Sequence, residues 1–396
     1  MKRVSTKTPA KLGRVPKELV TMATALDLSG SATERAYWVR LTTEAAMRAM
    51  DADSDAPLDA ALEHTYNTAP PAHDALVGCC EAAAESVTVS HDTGADFDGL
   101  LMAIPIVAWS KYTIPVGAIA AADAAKILLA LEKNILAKTA KITIDPSIVG
   151  MDQLPMGFAG VRAVAKALVN AAVSARGHKV KWGKYTPDTE YMADSRFVLA
   201  GIAAPAGEPL FRWQEDGGKR SRAECMAAWV DEARPIVTRL LPGSEFTLLL
   251  PDSFFACFRF AEEAMRPATV CASVAFLETR LPTTAPRLRA VIAGVGRESQ
   301  TDEYRIAFTE RGQDQVLTGV IWPLTETEDA ETEPNPSRLI EALLREIKVG
   351  EVLMLDGVYE PEYCDDCGAP LFPNADGEAM HAYMPEGTES PAAHYH

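Results

Sequence analysis

The sequence contains none of the short motifs by which the common nucleotide-binding and hydrolytic enzymes are recognised. It has no GxxxxGK[ST] phosphate-binding loop, and the nearest string, EDGGKRS at 215–221, lacks the first glycine. No GxGxxG follows a strand-like segment, and HExxH, GxSxG and the EF-hand loop are absent. The sequence therefore offers no basis for predicting a standard nucleotide-binding enzyme, serine hydrolase or zinc protease.

The features of a secreted or membrane-spanning chain are also missing. No run approaches the roughly 18 consecutive apolar residues of a membrane-spanning helix, and no apolar signal-peptide segment follows the basic N-terminus. The 7 cysteines are an odd number spread over 396 residues, which favours reduced thiols over a disulfide framework. We therefore predict a cytoplasmic protein that does not enter a membrane.

Basic residues are too few for general nucleic-acid binding. The chain has 38 Lys and Arg against 55 Asp and Glu, and a net charge of -17 repels phosphate backbones. The N-terminus is the exception, because up to position 17 it has basic residues and no acid: Lys2, Arg3, Lys7, Lys11, Arg14 and Lys17. We interpret this stretch either as a solvated terminus or as an arm that docks on an acidic surface.

The pattern of apolar residues predicts an α+β protein. Hydrophobic residues make up 48% of the chain, enough for a sizeable core. Helical spacing dominates the first part, and strand-like runs begin near Asp96. The predicted organisation is a flexible basic arm (1–14), a helical region (15–90), a first α/β unit (91–216), a second α/β unit (217–360) with an acidic loop (325–337), and a tail carrying the cysteine pair (361–396).

Two similar strings suggest that the α/β units arose by duplication. RFVLAGI begins at Arg196 and RAVIAGV at Arg289. Each follows a Leu-rich strand and a helix, and each is expected to turn into a hairpin partner, 208–213 in the first unit. The alternative is that apolar strands ending in glycine look alike by chance. Two prolines are expected to disturb the elements that contain them: Pro105 limits its strand to an edge strand or a broken strand, and Pro267 interrupts a helix.

The most specific motif is the cysteine pair near the C-terminus. Cys364 and Cys367 have C-x2-C spacing, which lets two thiolates face one metal ion, and Gly368 tolerates the positive φ of such a turn. His381 is the nearest further ligand, and Glu386, His394 and His396 are candidates for the fourth. We predict a structural zinc knuckle. An unmetallated reduced pair and a redox dithiol are the alternatives, the latter disfavoured because Asp365 and Asp366 should raise the pKa of the thiols.

Three polar and aromatic clusters follow predicted strands and are candidates for binding a small anionic ligand. They comprise Trp109, Lys111 and Tyr112; Glu208, Arg212 and Trp213; and Asp252 at a helix start. Ligands in α/β proteins often bind beyond strand ends, and arginine beside tryptophan can hold an anion. The competing interpretation is surface packing for the aromatic clusters and helix capping for Asp252.

Taken in order, the strings WSKYTIP, DQLP, GEPLFRWQE, LLLPDSFF, DEYRIAFTERG and YCDDCGAPLFPN make the chain resemble an uncharacterised bacterial protein family, the domain of unknown function 2863. The resemblance runs from SGSATERAYWV to HAYMPE, nearly the full length. It implies a cytoplasmic bacterial protein with one recurrent architecture. Because no catalytic residue or cofactor is attached to that family, the resemblance transfers no site.

These observations favour a non-catalytic binding or assembly protein, a homo-oligomer with a structural zinc knuckle and a tail that contacts a protein partner. The alternative is an enzyme or sensor acting on a small anionic ligand bound by Lys111 and Arg212 with Asp252 or Asp145. Convergence of these side chains in one pocket would favour the alternative. A nucleic-acid-binding regulator is disfavoured by the net charge.

Overall fold

A computed structural model describes most of the chain. The described residues are 12–52, 54–90, 94–110, 113–155, 157–185, 192–215, 219–297, 300–325, 328 and 335–383. Several predicted features lie outside them: most of the basic arm and of the acidic loop, Lys111, Tyr112, Glu386, His394 and His396.

The described residues form helices and strands in mixed order, which confirms the α+β class. The helices are α1 (Arg14–Asp27), α2 (Ala32–Met50), α3 (Ala56–Thr68), α4 (Pro70–Glu85), α5 (Ala121–Asn134), α6 (Phe158–Val173), α7 (Arg222–Leu240), α8 (Phe254–Arg280) and α9 (Pro336–Glu346). The strands are β1 (Ser86–Ser90), β2 (Asp96–Ser110), β3 (Gly117–Ala118), β4 (Lys141–Ile144), β5 (Ser147–Gly150), β6 (Met192–Pro205), β7 (Ser244–Leu248), β8 (Asp252–Ser253), β9 (Leu288–Arg297), β10 (Gln300–Glu310), β11 (Thr318–Pro323), β12 (Glu351–Tyr359), β13 (Phe372–Pro373) and β14 (Ala379–Met380). Local capping explains several boundaries. Ser31 accepts a hydrogen bond from the Glu34 amide at the start of α2, and Ser221 and Glu224 form a capping box at the start of α7.

The first sheet is built around β2. This strand pairs along its whole length with β6, and on its other side with β1, β8 and β7 in turn. The prediction that Pro105 makes this an edge strand or a broken strand is therefore wrong, because β2 is continuous and has partners on both sides. The carbonyl of Pro105 accepts from the Leu249 amide at 3.2 Å, so the missing N–H faces the interval between β7 and β8, where no ladder bond is needed.

Helices cover both faces of this sheet, so β2 and β6 bury successive residues on opposite sides. Helices α1–α4, α6 and the first half of α8 pack on one face, and α5 and α7 on the other. Helix α6 approaches the strands closely: a Cβ added at Gly201 would lie 2.2 Å from the backbone carbon of Leu168. Glycine in β6 is thus the residue that lets the helix backbone reach the sheet.

The second sheet has the order β11-β10-β9-β12, with β12 parallel to β9 and the other pairs antiparallel. Helix α8 connects it to the first sheet. Phe254, Cys257 and Ala261 pack in the core of the first sheet, whereas Val274 and Leu277 pack with α9 against the second. Pro267 lies inside α8 without ending it, so the predicted interruption is wrong.

The structure does not confirm the duplication. The predicted hairpin partner at 208–213 is not a strand: Arg212–Gln214 form a 3-10 helix, and Phe211 makes a single bridge to Leu136. In the proposed second unit, β7 belongs to the first sheet and β9 to the second. The predicted boundary at 216 therefore does not coincide with the limit of a sheet. Likewise, residues 86–90 of the predicted helical region form β1.

The chain after β12 lies on the outer face of the second sheet. Phe372 packs with Val291, Ala307 and Val316 in a small apolar cluster. We call the described part of this segment, residues 361–383, the tail. None of the helices in the described ranges combines the length and the apolar character needed to cross a membrane.

Candidate metal centre

The tail brings together three side chains that are good metal ligands. The sulfur atoms of Cys364 and Cys367 and a ring nitrogen of His381 all lie within 4.8 Å of one another. The Cys367 Sγ and His381 Nε2 are 3.2 Å apart. Thiolate and imidazole groups at this spacing could hold one metal ion, as the C-x2-C and His381 pattern predicts.

A tight turn presents the two cysteines. The Gly368 amide donates to the Cys364 carbonyl at 2.8 Å, and the Cys364 amide donates to the Ala369 carbonyl at 2.8 Å. Gly368 has φ of +72°, a conformation that L side chains rarely adopt. The expected role of the glycine is confirmed.

A second turn brings His381 to this site. The strands β13 and β14 form a short hairpin, and the buried Asn374 closes it by accepting hydrogen bonds from the amides of Asp376 and Glu378 at 3.0 and 2.9 Å. His381 follows β14 directly. An asparagine side chain of this kind is a local turn signal, so the sequence did contain the information that the chain reverses here.

The histidine ring is oriented for binding through Nε2. Its Nδ1 lies 2.7 Å from the carbonyl oxygen of Ala382. Because a carbonyl can only accept, Nδ1 is the donor in this contact, and a neutral ring then has its Nε2 lone pair on the side of Cys367. A backbone carbonyl on the far nitrogen is a common support for a metal-binding histidine.

The Cys364 thiol is activated by the backbone of the turn. Amide hydrogen bonds from Cys367 and then Asp366 hold the pKa of Cys364 below its ordinary value, and the Asp366 charge opposes them more weakly. The charge of Asp366 thus acts in the expected direction, but the amide hydrogen bonds outweigh it and the net shift of the Cys364 pKa is downward. Two amides aimed at one sulfur stabilise the thiolate, which is the form that binds a metal.

The other cysteines do not extend the centre. Cys79, Cys80, Cys225 and Cys257 are buried in helices, and Cys271 is half-buried. Burial raises the pKa of Cys80 to about 12, which keeps that thiol protonated and unreactive.

The candidate anion-binding residues are spread over the first sheet. Trp109 is half-buried near the C-terminal end of β2, while Pro205, which leads to Glu208 and Arg212, pairs with Phe97 at the other end. Positions 97 and 109 are about 40 Å apart at about 3.3 Å per residue. Trp109 and Arg212 therefore do not share a pocket.

Arg212 is held by neighbouring residues, and Glu208 is exposed. The Arg212 guanidinium donates to the Glu132 carbonyl at 2.8 Å and pairs with Glu215 at 4.0 Å. Glu208 is exposed in the turn after β6. The hydrogen bond between Arg212 and Glu132 joins the 3-10 helix to the end of α5.

Trp213 and Asp252 do come near each other, through an arginine that the sequence analysis did not single out. The Arg222 guanidinium forms an ion pair with Asp252 and lies 4.9 Å from the ring centroid of Trp213. Asp252 also accepts from the Ser253 amide at 2.8 Å, next to the start of α8. Arg222 and Asp252 thus link α7 to the start of α8, and both side chains are used in contacts within the protein.

Asp145 is a structural residue. It is fully buried and accepts from the Val180 amide at 2.6 Å and the Trp182 indole at 3.0 Å. Its carboxylate thus fixes the segment after α6 to the sheet, since a buried carboxylate is stable only when it is hydrogen-bonded.

Comparison with known proteins gives a family but no characterised relative. No curated protein matches the chain, and no solved structure matches it. A match to a family described as a protein of unknown function extends over residues 4–395, which is essentially the whole sequence and agrees with the resemblance seen in its motifs. The chain belongs to this family, the domain of unknown function 2863.

Proposed function

We propose that this protein is a non-catalytic binding or assembly protein whose C-terminal segment is fastened to the second sheet by a structural zinc ion. Cys364, Cys367 and His381 are the ligands. The observation that carries the proposal is the convergence of their three ligand atoms within 4.8 Å.

The ligand types favour zinc. Two thiolates and one imidazole form a soft donor set that suits Zn²⁺ in tetrahedral coordination, whereas Mg²⁺ and Ca²⁺ prefer oxygen ligands. Structural zinc sites use four protein ligands. We propose Glu386, His394 or His396, or a group from a second subunit, as the fourth.

A structural role fits the place of the centre in the fold. The tail has little core of its own: Phe372 is its one large buried apolar side chain, and it packs on the second sheet. A segment of this size rarely folds without a metal or a disulfide, because its apolar contacts do not offset the entropy of ordering. One ion joining the cysteine turn to His381 would close the segment on itself.

The competing function, an enzyme or sensor for a small anion near Lys111 and Arg212, has weaker support. Arg212 is committed to Glu132 and Glu215, and Asp252 to Arg222. An anion would have to displace one of these contacts. Trp109 lies at the opposite end of β2 from the turn that carries Glu208.

The charge of the C-terminal segment indicates the chemistry of a partner. From Val349 to His396 the sequence has ten acidic residues and no Lys or Arg. Exposed acids on the described part include Asp356, Glu360, Asp365, Asp366 and Asp376. We propose that a basic protein segment contacts this face, and that the protein is a homo-oligomer.

Metal analysis tests the zinc proposal. We expect the protein, purified without chelators, to contain about one zinc per chain, and the Cys364→Ser and His381→Ala variants to lose most of it. Cys271→Ser is the matched control, because Cys271 lies in α8 and outside the centre. A wild-type protein free of zinc that also fails to bind added zinc would refute the proposal.

A further inference from the structure

A buried arginine contacts the residues that flank the cysteine turn of the candidate metal centre. Along β10, Tyr304, Ile306 and Phe308 face α8 and α9, so the alternating residues face the tail. Arg305 is one of these, and only 2% of its surface is exposed. An arginine this deep in a protein needs hydrogen-bonding partners that are held in place.

The partners of Arg305 are the two ends of the cysteine turn. Its Nη1 donates to the carbonyl oxygen of Glu362 at 2.7 Å and to that of Leu371 at 2.6 Å. These residues flank the cysteines, Glu362 before Cys364 and Leu371 after Cys367. The Leu371 amide also donates to the Glu362 carbonyl at 3.0 Å, so the neck of the turn is closed by three hydrogen bonds.

Two further contacts fix the guanidinium itself. Its Nε donates to the Glu303 carboxylate at 2.8 Å, and its central carbon lies 5.2 Å from the ring centroid of Tyr363. Glu303 and Arg305 both belong to β10, so the anchor is part of the rigid sheet. Tyr363 directly precedes the first cysteine. Arg305 therefore contacts residues on both sides of the cysteine pair, Glu362 and Tyr363 before it and Leu371 after it.

We propose that Arg305 is a positioning residue for the metal centre. It holds the neck of the turn closed, and so keeps Cys364 and Cys367 in chelating geometry before the metal arrives. This inference rests on the proposed zinc site. Without the clamp, the metal would have to order the turn as it binds, and the conformational entropy lost in that ordering would weaken binding. Loss of a supporting contact to metal ligands typically lowers metal affinity about 10- to 100-fold.

Substitution of Arg305 tests the proposal. Arg305→Met keeps an apolar stem of similar length and removes all the hydrogen bonds. Arg305→Lys keeps the charge but lacks the planar fork that reaches two carbonyls and a carboxylate together. Arg311→Met is the matched control, since Arg311 follows the same strand and its mostly exposed side chain pairs with Glu351.

Zinc affinity is measured on the full-length protein by competition with a chromogenic chelator, and the site geometry by the visible absorption of bound Co²⁺. We expect Arg305→Met to bind zinc about 10- to 100-fold more weakly, with Arg305→Lys between it and wild type. The Co²⁺ spectrum should change in both variants, and Arg311→Met should match wild type. Thermal unfolding of the metal-free proteins shows whether each variant is folded.

The outcomes separate this inference from the zinc proposal. If wild type does not bind zinc, the proposed function fails and this inference fails with it. If wild type binds zinc and both Arg305 variants bind with unchanged affinity and spectrum, the zinc site stands and the positioning role is refuted. Should Arg305→Met not fold, Arg305→Lys decides: a roughly tenfold loss supports the role, and an unchanged affinity overturns it.

Discussion

The Nε2 of His381 lies 3.2 Å from the sulfur of Cys367, although the two residues are 14 positions apart. The hairpin closed by Asn374 creates this contact. A metal held there would connect the two turns of the tail, and the tail in turn covers Val291 and Ala307 on the outer face of the second sheet. Metal content and stability of this part of the fold should therefore be linked.

Removal of the metal should lower the stability of the protein. A ligand that binds only the folded state stabilises it by about 2.7 kcal/mol at a free concentration of 100 times its Kd. We expect a strong chelator to lower the unfolding temperature of wild type and to have little effect on Cys367→Ser. Calorimetry with and without chelator makes the comparison. An equal response of both proteins would contradict a metal bound by Cys367.

The carboxyl group of Glu85 should make stability depend on pH. It accepts from the Phe255 amide at 3.1 Å at the start of α8, and burial raises its pKa to about 7. The folded state therefore holds a proton that the unfolded state, with an ordinary pKa near 4.5, has lost. Stability should fall as pH rises from about 4.5 to about 7, by up to about 3 kcal/mol, and level off above.

Glu85→Gln should remove most of this decrease and be more stable than wild type at pH 8, because its side chain can still accept from Phe255 without a buried charge. Urea unfolding at several pH values between 4.5 and 8 measures the free energy of unfolding of both proteins. Glu44→Gln is the control, since Glu44 is exposed in α2. Parallel pH profiles for Glu85→Gln and wild type would show that Glu85 ionises normally.

Arg196 should be one of the most sensitive polar residues in the first sheet. It is fully buried and donates to the carbonyls of Ile114 and Pro115 at 2.8 and 3.1 Å and to Asp194. Arg196→Met leaves these acceptors unpaired, and we expect a loss of about 3–5 kcal/mol. Chemical denaturation measures it. Arg40→Met is the comparison, because Arg40 forms an exposed pair within α2 and should change stability by less than about 1 kcal/mol. Similar losses in both variants would contradict the assignment.

Gly201 should not tolerate alanine. The added methyl group would meet the Leu168 backbone at 2.2 Å, so α6 must move away from the sheet. We expect Gly201→Ala to lose about 1–3 kcal/mol or more. Gly78→Ala should instead gain about 0.5–1 kcal/mol, because Gly78 lies inside α4 with no atom within 4 Å of the new Cβ. Both are measured by denaturant unfolding. Equal effects of the two substitutions would mean that α6 can shift without cost.

The proposed assembly has a direct test in mass photometry at nanomolar concentration. We expect a species whose mass is at least twice the chain mass of 42.7 kDa. If basic and acidic segments contribute to the contact, higher salt should increase the monomer fraction, since exposed charges are screened within about 8 Å at physiological ionic strength. A single monomeric species at low salt in this measurement would count against the homo-oligomer.

Local signals in the sequence predicted most of the elements. The helical spacing of the first part, the strand-like runs that begin near Asp96 and the apolar strings that begin at Arg196 and Arg289 correspond to observed helices and strands. The turn at the cysteines could also be predicted, because C-x2-C followed by glycine determines a conformation within five residues. These features depend on hydrogen bonds and sterics between near neighbours, which a sequence displays directly.

Only the tertiary structure decided how those elements are used. It showed that Pro105 can lie in a central strand, because its missing N–H faces the interval between β7 and β8. It assigned β7 to the first sheet and showed that the candidate anion-binding residues are dispersed. It also placed Arg305 against the residues that flank the cysteine turn, a contact that no local pattern in the strand β10 indicates. The spacing of the cysteines and of His381 in the sequence by itself determined the ligands of the candidate metal centre. Only the fold determined what holds those ligands in place, because the pairing of distant segments depends on the burial and hydrogen bonding of the whole chain.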